Sequence, residues 1–260
     1  MGFDCEWIWF LFLKEADLAA GAIILPNTTT HPAVDFTEPF LSFRVSTIIR
    51  RPSGPRGEIT AHNIISNARQ VIGSDLTYGV IQNGVVQQIL ANATDPVARA
   101  LWTRISNFSP SGLVSSVQEG VERARRERYA FLVETPTAEY VASRRPCDLY
   151  ASEPFLDVMR YAFVMRSDDF RLRDLVSREL RRMKQTDELQ TIYLKWWKDE
   201  CSGSLASARR SSPEAEIRRR PAIATSRAIR AVAIYPVMRS FHGDMFLAMV
   251  TVFFKVFVNG

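Results

Sequence analysis

Tyr129-Ala130-Phe131-Leu132-Val133-Glu134 is the stretch on which the fold turns. Five apolar residues in succession, with no alternation, do not suit a sheet with one wet face. Such a run suits a central parallel strand covered on both sides. What flanks it agrees. Before it, Val117, Val121 and Ala124 recur at helical spacing. Either Ser115 or Ser116 can cap that helix. It ends among Arg123, Arg125, Arg126 and Arg128, where cations suit the helix dipole. After the run, residues 135–142 read as another helix. The same rhythm holds upstream, where 76–81 reads as a strand, Asn83-Gly84 as a turn and 85–91 as a helix. Pro96 opens a further helix with Val97, Ala100, Leu101 and Ile105 inward. Downstream, 161–165 is a second continuous strand, and helices at 172–183 and 186–197 close the segment. The fold class is α/β.

The outer parts have a different texture. Residues 15–52 alternate short apolar runs with turn signals: 18–25 ends at Pro26, 34–40 is extended, and 45–49 is a β-branched strand. Pro52, Gly54, Pro55 and Gly57 then mark a linker. A short helix is expected at 63–71. Beyond Cys201, residues 203–230 are rich in Ser, Ala, Arg and Pro with little periodicity, which predicts a disordered linker.

The net charge is +5 and the isoelectric point about 9.3. The excess is local, in the arginines named above and in Arg209, Arg210, Arg218, Arg219 and Arg220. No aromatic residues interleave them, so a nucleic-acid groove is not expected. A solvated helix face and a basic tail account for them. The three cysteines, Cys5, Cys147 and Cys201, form no CxxC pair, which argues against zinc or thioredoxin-type chemistry. From the residues alone, Cys147 and Cys201 are either a disulfide closing a long loop or two free thiols. Asn27-Thr28-Thr29, Asn92-Ala93-Thr94 and Asn107-Phe108-Ser109 are glycosylation triplets and point outside the cell. No stretch reaches the roughly 20 apolar residues of a membrane span; Lys255 interrupts the best candidate, 245–258. The opening residues 1–13 are apolar, but Asp4 and Glu6 stand where a signal peptide has basic residues. External signals without a leader suggest missing sequence.

Parallel strands place ligand sites beyond their carboxyl ends. Two positions qualify. At Asn83-Gly84-Val85-Val86 a strand gives way to a helix, whose free N–H groups suit an anion and whose glycine allows close approach. At Glu134 a carboxylate follows the strand. It either pairs with a ligand amine or simply begins the next helix, where acids are favoured. His31, His62 and His242 are isolated, and no nucleophile elbow, phosphate loop or metal motif accompanies them. A binding module without cofactor is expected rather than an enzyme.

Several motifs in sequence order carry a family resemblance. Glu15-Ala16-Asp17-Leu18-Ala19 and Asp35-Phe36-Thr37-Glu38-Pro39-Phe40 come first. Tyr78-Gly79 with Gly84, then Glu119-Gly120-Val121, follow. Next are the strand ending in Glu134, Arg145-Pro146-Cys147-Asp148, and Lys195-Trp196-Trp197 before Cys201. Over residues 15–201 the chain resembles the ligand-binding domain of ionotropic glutamate receptors. The resemblance implies a bilobed clamshell like periplasmic binding proteins, truncated in the first lobe, with a disordered C-terminal linker. Residues 1–52 would end the first ligand-binding segment, and 53–61 would replace the pore region. Residues 62–202 would form the second segment with the closing helices of lobe 1, and 203–260 a basic linker with a short apolar tail. A Cys147–Cys201 disulfide, a small-molecule ligand, partner subunits in a tetramer, and a plasma-membrane location for the full-length protein are also implied.

The departures from the family pattern concern the ligand. The family's carboxylate-gripping arginine precedes the Asp-Phe motif by five positions, and here that position is Thr30. Val85 and Val86 replace a Ser-Thr pair that holds the distal carboxylate. Only Glu134, the usual amine partner, matches. The pattern looks like divergent invertebrate chemosensory receptors, and this resemblance implies poor glutamate binding and an amine-bearing ligand. A soluble periplasmic-class binding protein and a non-conducting partner subunit are the alternatives.

Overall fold

The computed structural model describes residues 11, 13–21, 23–26, 32–51, 73, 76–107, 112–197 and 200–201, and the backbone of 231–233. The expected helix at 63–71, the linker after Arg51 and the basic stretch 203–230 lie outside these residues. The chain divides into two compact units. The first comprises Met1–Ser42, Met159–Trp196 and Ala206–Gly260, the second Phe43–Val158 and Trp197–Leu205.

The second unit is built on the opening stretch. Its sheet has the order β5-β4-β6-β3-β7, with β8 also on β3. These strands are β3 (Leu41–Arg50), β4 (Thr77–Ile81), β5 (Leu113–Val114), β6 (Tyr129–Glu134), β7 (Leu149–Ala151) and β8 (Phe155–Tyr161). Every residue of β6 is buried. The cause is a cover on each face, as the unbroken apolar run requires. Tyr129, Phe131 and Val133 join Ile48 and Val114 in a core closed by α3 (Val117–Arg126) and α4 (Thr135–Ala142). On the opposite face, α1 (Val85–Ala91) and α2 (Pro96–Asn107) lie against β4. There the Arg104 guanidinium sits 5.2 Å from the centre of the Tyr78 ring.

The sheet is mixed, which corrects the expectation of parallel strands alone. β4 runs parallel to β5 and β6, whereas β3 pairs antiparallel with β6 and β7. β3 comes from the earlier segment of the chain, outside the local strand–helix–strand units that make neighbouring strands parallel, and it lies antiparallel between β6 and β7. The α3 cap uses both candidate serines. Ser116 accepts from the Glu119 N–H at 3.2 Å, and the Glu119 carboxylate accepts from the Ser115 N–H at 2.7 Å and hydroxyl at 2.6 Å. These bonds from Ser115 hold the Glu119 carboxyl below its ordinary range. The arginines after this cap are not merely a solvated face. Arg123 lies 4.2 Å from the centre of the Tyr129 ring, and Arg125 pairs with Asp148 at 3.0 Å.

In the first unit, β1 (Leu18–Ala20), β2 (Val34–Phe36), β9 (Val164–Arg166) and β10 (Ala231–Ala233) form a sheet of order β10-β1-β9-β2. β9 runs antiparallel to β1 and β2, and β10 parallel to β1. The expected continuous strand at 161–165 is interrupted at Ala162 and Phe163, although all five residues are buried. Here the hydrogen bonds change partner at each step. Ala162 N–H donates to Ile23 O at 3.0 Å. Phe163 N–H donates to the Thr37 hydroxyl at 3.1 Å, and Thr37 N–H returns a bond to Phe163 O at 3.0 Å. Two helices complete the unit, α5 (Phe170–Gln185) and α6 (Glu188–Trp196). Asp169 caps α5 by accepting from Leu172 N–H, so this helix starts before the expected 172.

Candidate functional site

The site residues that can be placed lie in the second unit, at the carboxyl ends of two adjacent strands. The register of β4 on β6, Thr77 with Tyr129 and Gly79 with Phe131, carries both strands in step to one edge. α1 leaves that edge after Gly84, and α4 leaves it after Glu134. Parallel pairing therefore brings together the two positions that the sequence singled out 50 residues apart, since 134 − 84 = 50.

At the first position, Asn83 takes the left-handed turn (φ 58°), and its N–H donates to Gln87 Oε1 at 2.6 Å. Gly84 is the N-cap of α1 and offers no side-chain cap. Its smallness serves the turn itself, because a Cβ there would lie 3.0 Å from both Cβ and O of Ile81. Val85 is half-buried, while Val86 is buried in the core.

At the second position, Glu134 is 5% exposed and pairs across the sheet with Val45. It occupies the N-cap of α4, yet its side chain makes no capping bond. No ion pair reaches it among the described residues. Burial pushes its carboxyl above the ordinary carboxylate range, offset in part by a hydrogen bond from its own backbone N–H. The helix-start reading of Glu134 thus accounts for its position but not for its burial, since a capping acid gains most with its charge intact.

Two features here carried no sequence signal. Thr135 donates to Arg44 O at 2.8 Å and lies 3.1 Å from the Ser46 hydroxyl, which ties the first turn of α4 to β3. Thr137, in the first turn of α4, is buried, and its hydroxyl has no hydrogen-bond partner among the described residues. A threonine in a helix gives no pattern from which an orphaned hydroxyl could be read.

Thr30 and Asn27 lie outside the described residues. Asn92 and Asn107 are exposed, at the ends of α1 and α2. Cys147 and Cys201 are joined by a disulfide with Cα atoms 5.5 Å apart. Around it, Trp197 Nε1 donates to Pro136 O at 2.7 Å, and Arg144 pairs with Glu200 at 2.7 Å. Among the described residues no group of three or more His, Cys, Asp or Glu gathers as metal ligands, and no helix is long and apolar enough to cross a membrane.

No family model matches the chain. Two curated relatives, Glutamate receptor 3 of Homo sapiens and of Mus musculus, are each 26% identical to it over 129 residues. That match covers 49% of this chain and 14% of each receptor, so the chain spans a small part of its relatives' length. Among solved structures, the Drosophila muscle GluRIIB complex with glutamate superposes with a TM-score of 0.60 at 22% identity. The superposition covers 73% of this chain and 71% of that one. The relatives are receptors, not enzymes. The chain is therefore similar in sequence to these glutamate receptors over 129 residues, and it shares an α/β, periplasmic-binding-protein-like fold with the solved receptor structure.

Proposed function

We propose that this chain is the ligand-binding portion of a ligand-gated cation channel subunit, of a chemosensory type that binds glutamate poorly. On this reading the two compact units are the family's two lobes, and the full-length protein stands in the plasma membrane with these residues outside the cell. One observation carries the proposal: Glu134 is buried and, among the described residues, without an ion pair, beside a helix start bearing Val85 and Val86 where the family has hydroxyls. A buried carboxyl of that kind is a costly group to keep. An amine-bearing ligand would supply the missing partner. The helix start keeps its backbone N–H groups but lacks the two side-chain hydroxyls that would hold a second carboxylate, and Thr30 stands in place of the gripping arginine. Hydrogen bonds to charged groups contribute about 1.5–3 kcal/mol each. Losing three contacts weakens glutamate by several powers of ten, since about 1.4 kcal/mol is tenfold.

Calorimetric titration with L-glutamate tests this, on the chain and on a Thr30→Arg, Val85→Ser, Val86→Thr variant whose melting temperature confirms folding. The expected result is no binding at micromolar concentrations by the chain and a gain of tenfold or more in the variant. Micromolar binding by the unaltered chain would overturn the proposal.

A further inference from the structure

Residues 92–95 connect α1 to α2. Asn92 is the C-cap of α1, with φ −101° and ψ 6°, so it already stands outside the helix. Asn92 and Thr94 are both exposed, and so are their neighbours Ala91, Asp95, Pro96 and Arg99. Both residues of the triplet that carry its chemistry are therefore exposed, among small or polar side chains. The other triplets lack this arrangement in the described residues. Asn107 ends α2 and is followed by residues outside the description, where the Asn27 triplet lies whole.

We propose that Asn92 is a site of N-linked glycan attachment, an inference that rests on the extracellular reading above. The co-reactant is an oligosaccharide carried on a lipid pyrophosphate. A bond forms between Asn92 Nδ2 and the anomeric carbon of the sugar, while the bond from that carbon to the pyrophosphate oxygen breaks. The amide gives up one proton, and the lipid pyrophosphate departs with the bonding pair. The folded structure accommodates the product. Asn92 Nδ2 donates to Gln88 O at 2.8 Å, and the secondary amide keeps one N–H for that bond. A glycan here covers the connector and the start of α2. That face of the second unit then stays in solvent and is closed to protein partners.

The test directs the full chain into the secretory pathway of insect cells behind an appended leader. Peptides are then mapped by mass before and after enzymatic deglycosylation, which converts a modified Asn to Asp. The expected outcome is a glycan on the Asn92 peptide, abolished by Asn92→Gln and by Thr94→Ala and retained in Asn107→Gln. An unmodified Asn92 peptide overturns the proposal. The thiols of the same sample separate the two readings. If Cys147 and Cys201 are oxidised in that case, the glycan alone is refuted; if both are free, the extracellular reading falls with it.

Discussion

A single carboxyl shows how environment sets the chemistry of a residue. Glu134 closes a strand whose other members are all apolar, and burial raises its folded pKa above the ordinary 4.5. A carboxyl raised on folding binds its proton more tightly in the folded state. Its contribution to stability is full below the unfolded pKa and is lost as pH rises through the folded one. Glu134→Gln keeps the shape and removes the titration. Its melting temperature is therefore expected to exceed that of the unaltered protein by more at neutral pH than at about pH 4. An equal difference at both pH values, in thermal denaturation without ligand, would show that Glu134 is not titrating in a buried site.

The elements of the second unit depend on close approach across the sheet. Gly120 lies in α3 directly over Phe131, and a Cβ there would come within 2.5 Å of the ring. The ring is wholly buried and has no room to retreat. Alanine in place of glycine favours a helix by up to about 1 kcal/mol. Overpacking a core costs about 1–3 kcal/mol. The second effect prevails because the contacted atoms belong to a ring held on β6 rather than to a flexible chain end. Gly120→Ala is expected to lower unfolding free energy in urea, and a more stable variant would contradict the packing described. The sequence marked α1 and α4 at their observed bounds, since helical spacing and a preceding turn are local signals. The start of α5 was within reach of the sequence, since Asp169 is a capping residue type that bonds to Leu172 three residues on. The partner exchange at Ala162 and Phe163 was not legible, because it depends on bonds to Ile23 and Thr37 rather than on pattern.

For the whole chain, the Cys147–Cys201 bond fastens the segment after α6 back to the second unit across 54 residues of sequence. A loop of that length implies a stabilisation of about 4 kcal/mol on the chain-entropy account. Cys147→Ser, Cys201→Ser and the double variant should each lose the same amount in chemical denaturation, because any one removes the whole bond. Unequal losses, or no effect of reductant on the unaltered protein, would count against it.

What the sequence determined by itself is the α/β class, the buried strand that ends in Glu134, the helices that leave Gly84 and Glu134, and the order of motifs over residues 15–201. Each is written in consecutive residues, as a period, a cap or a run. Tertiary structure decided the rest. β3 runs against β6, so the sheet is mixed. β10 pairs with β1, Leu18 opposite Ala231, within a stretch read only as linker and tail. Among the described residues, Glu134 is buried without an ionic partner and the Thr137 hydroxyl without a hydrogen bond. The physical reason is the same throughout. Strand direction, partner choice and the charge state of a buried group are set by what lies across the sheet or on the facing helix, and those neighbours are far away in sequence.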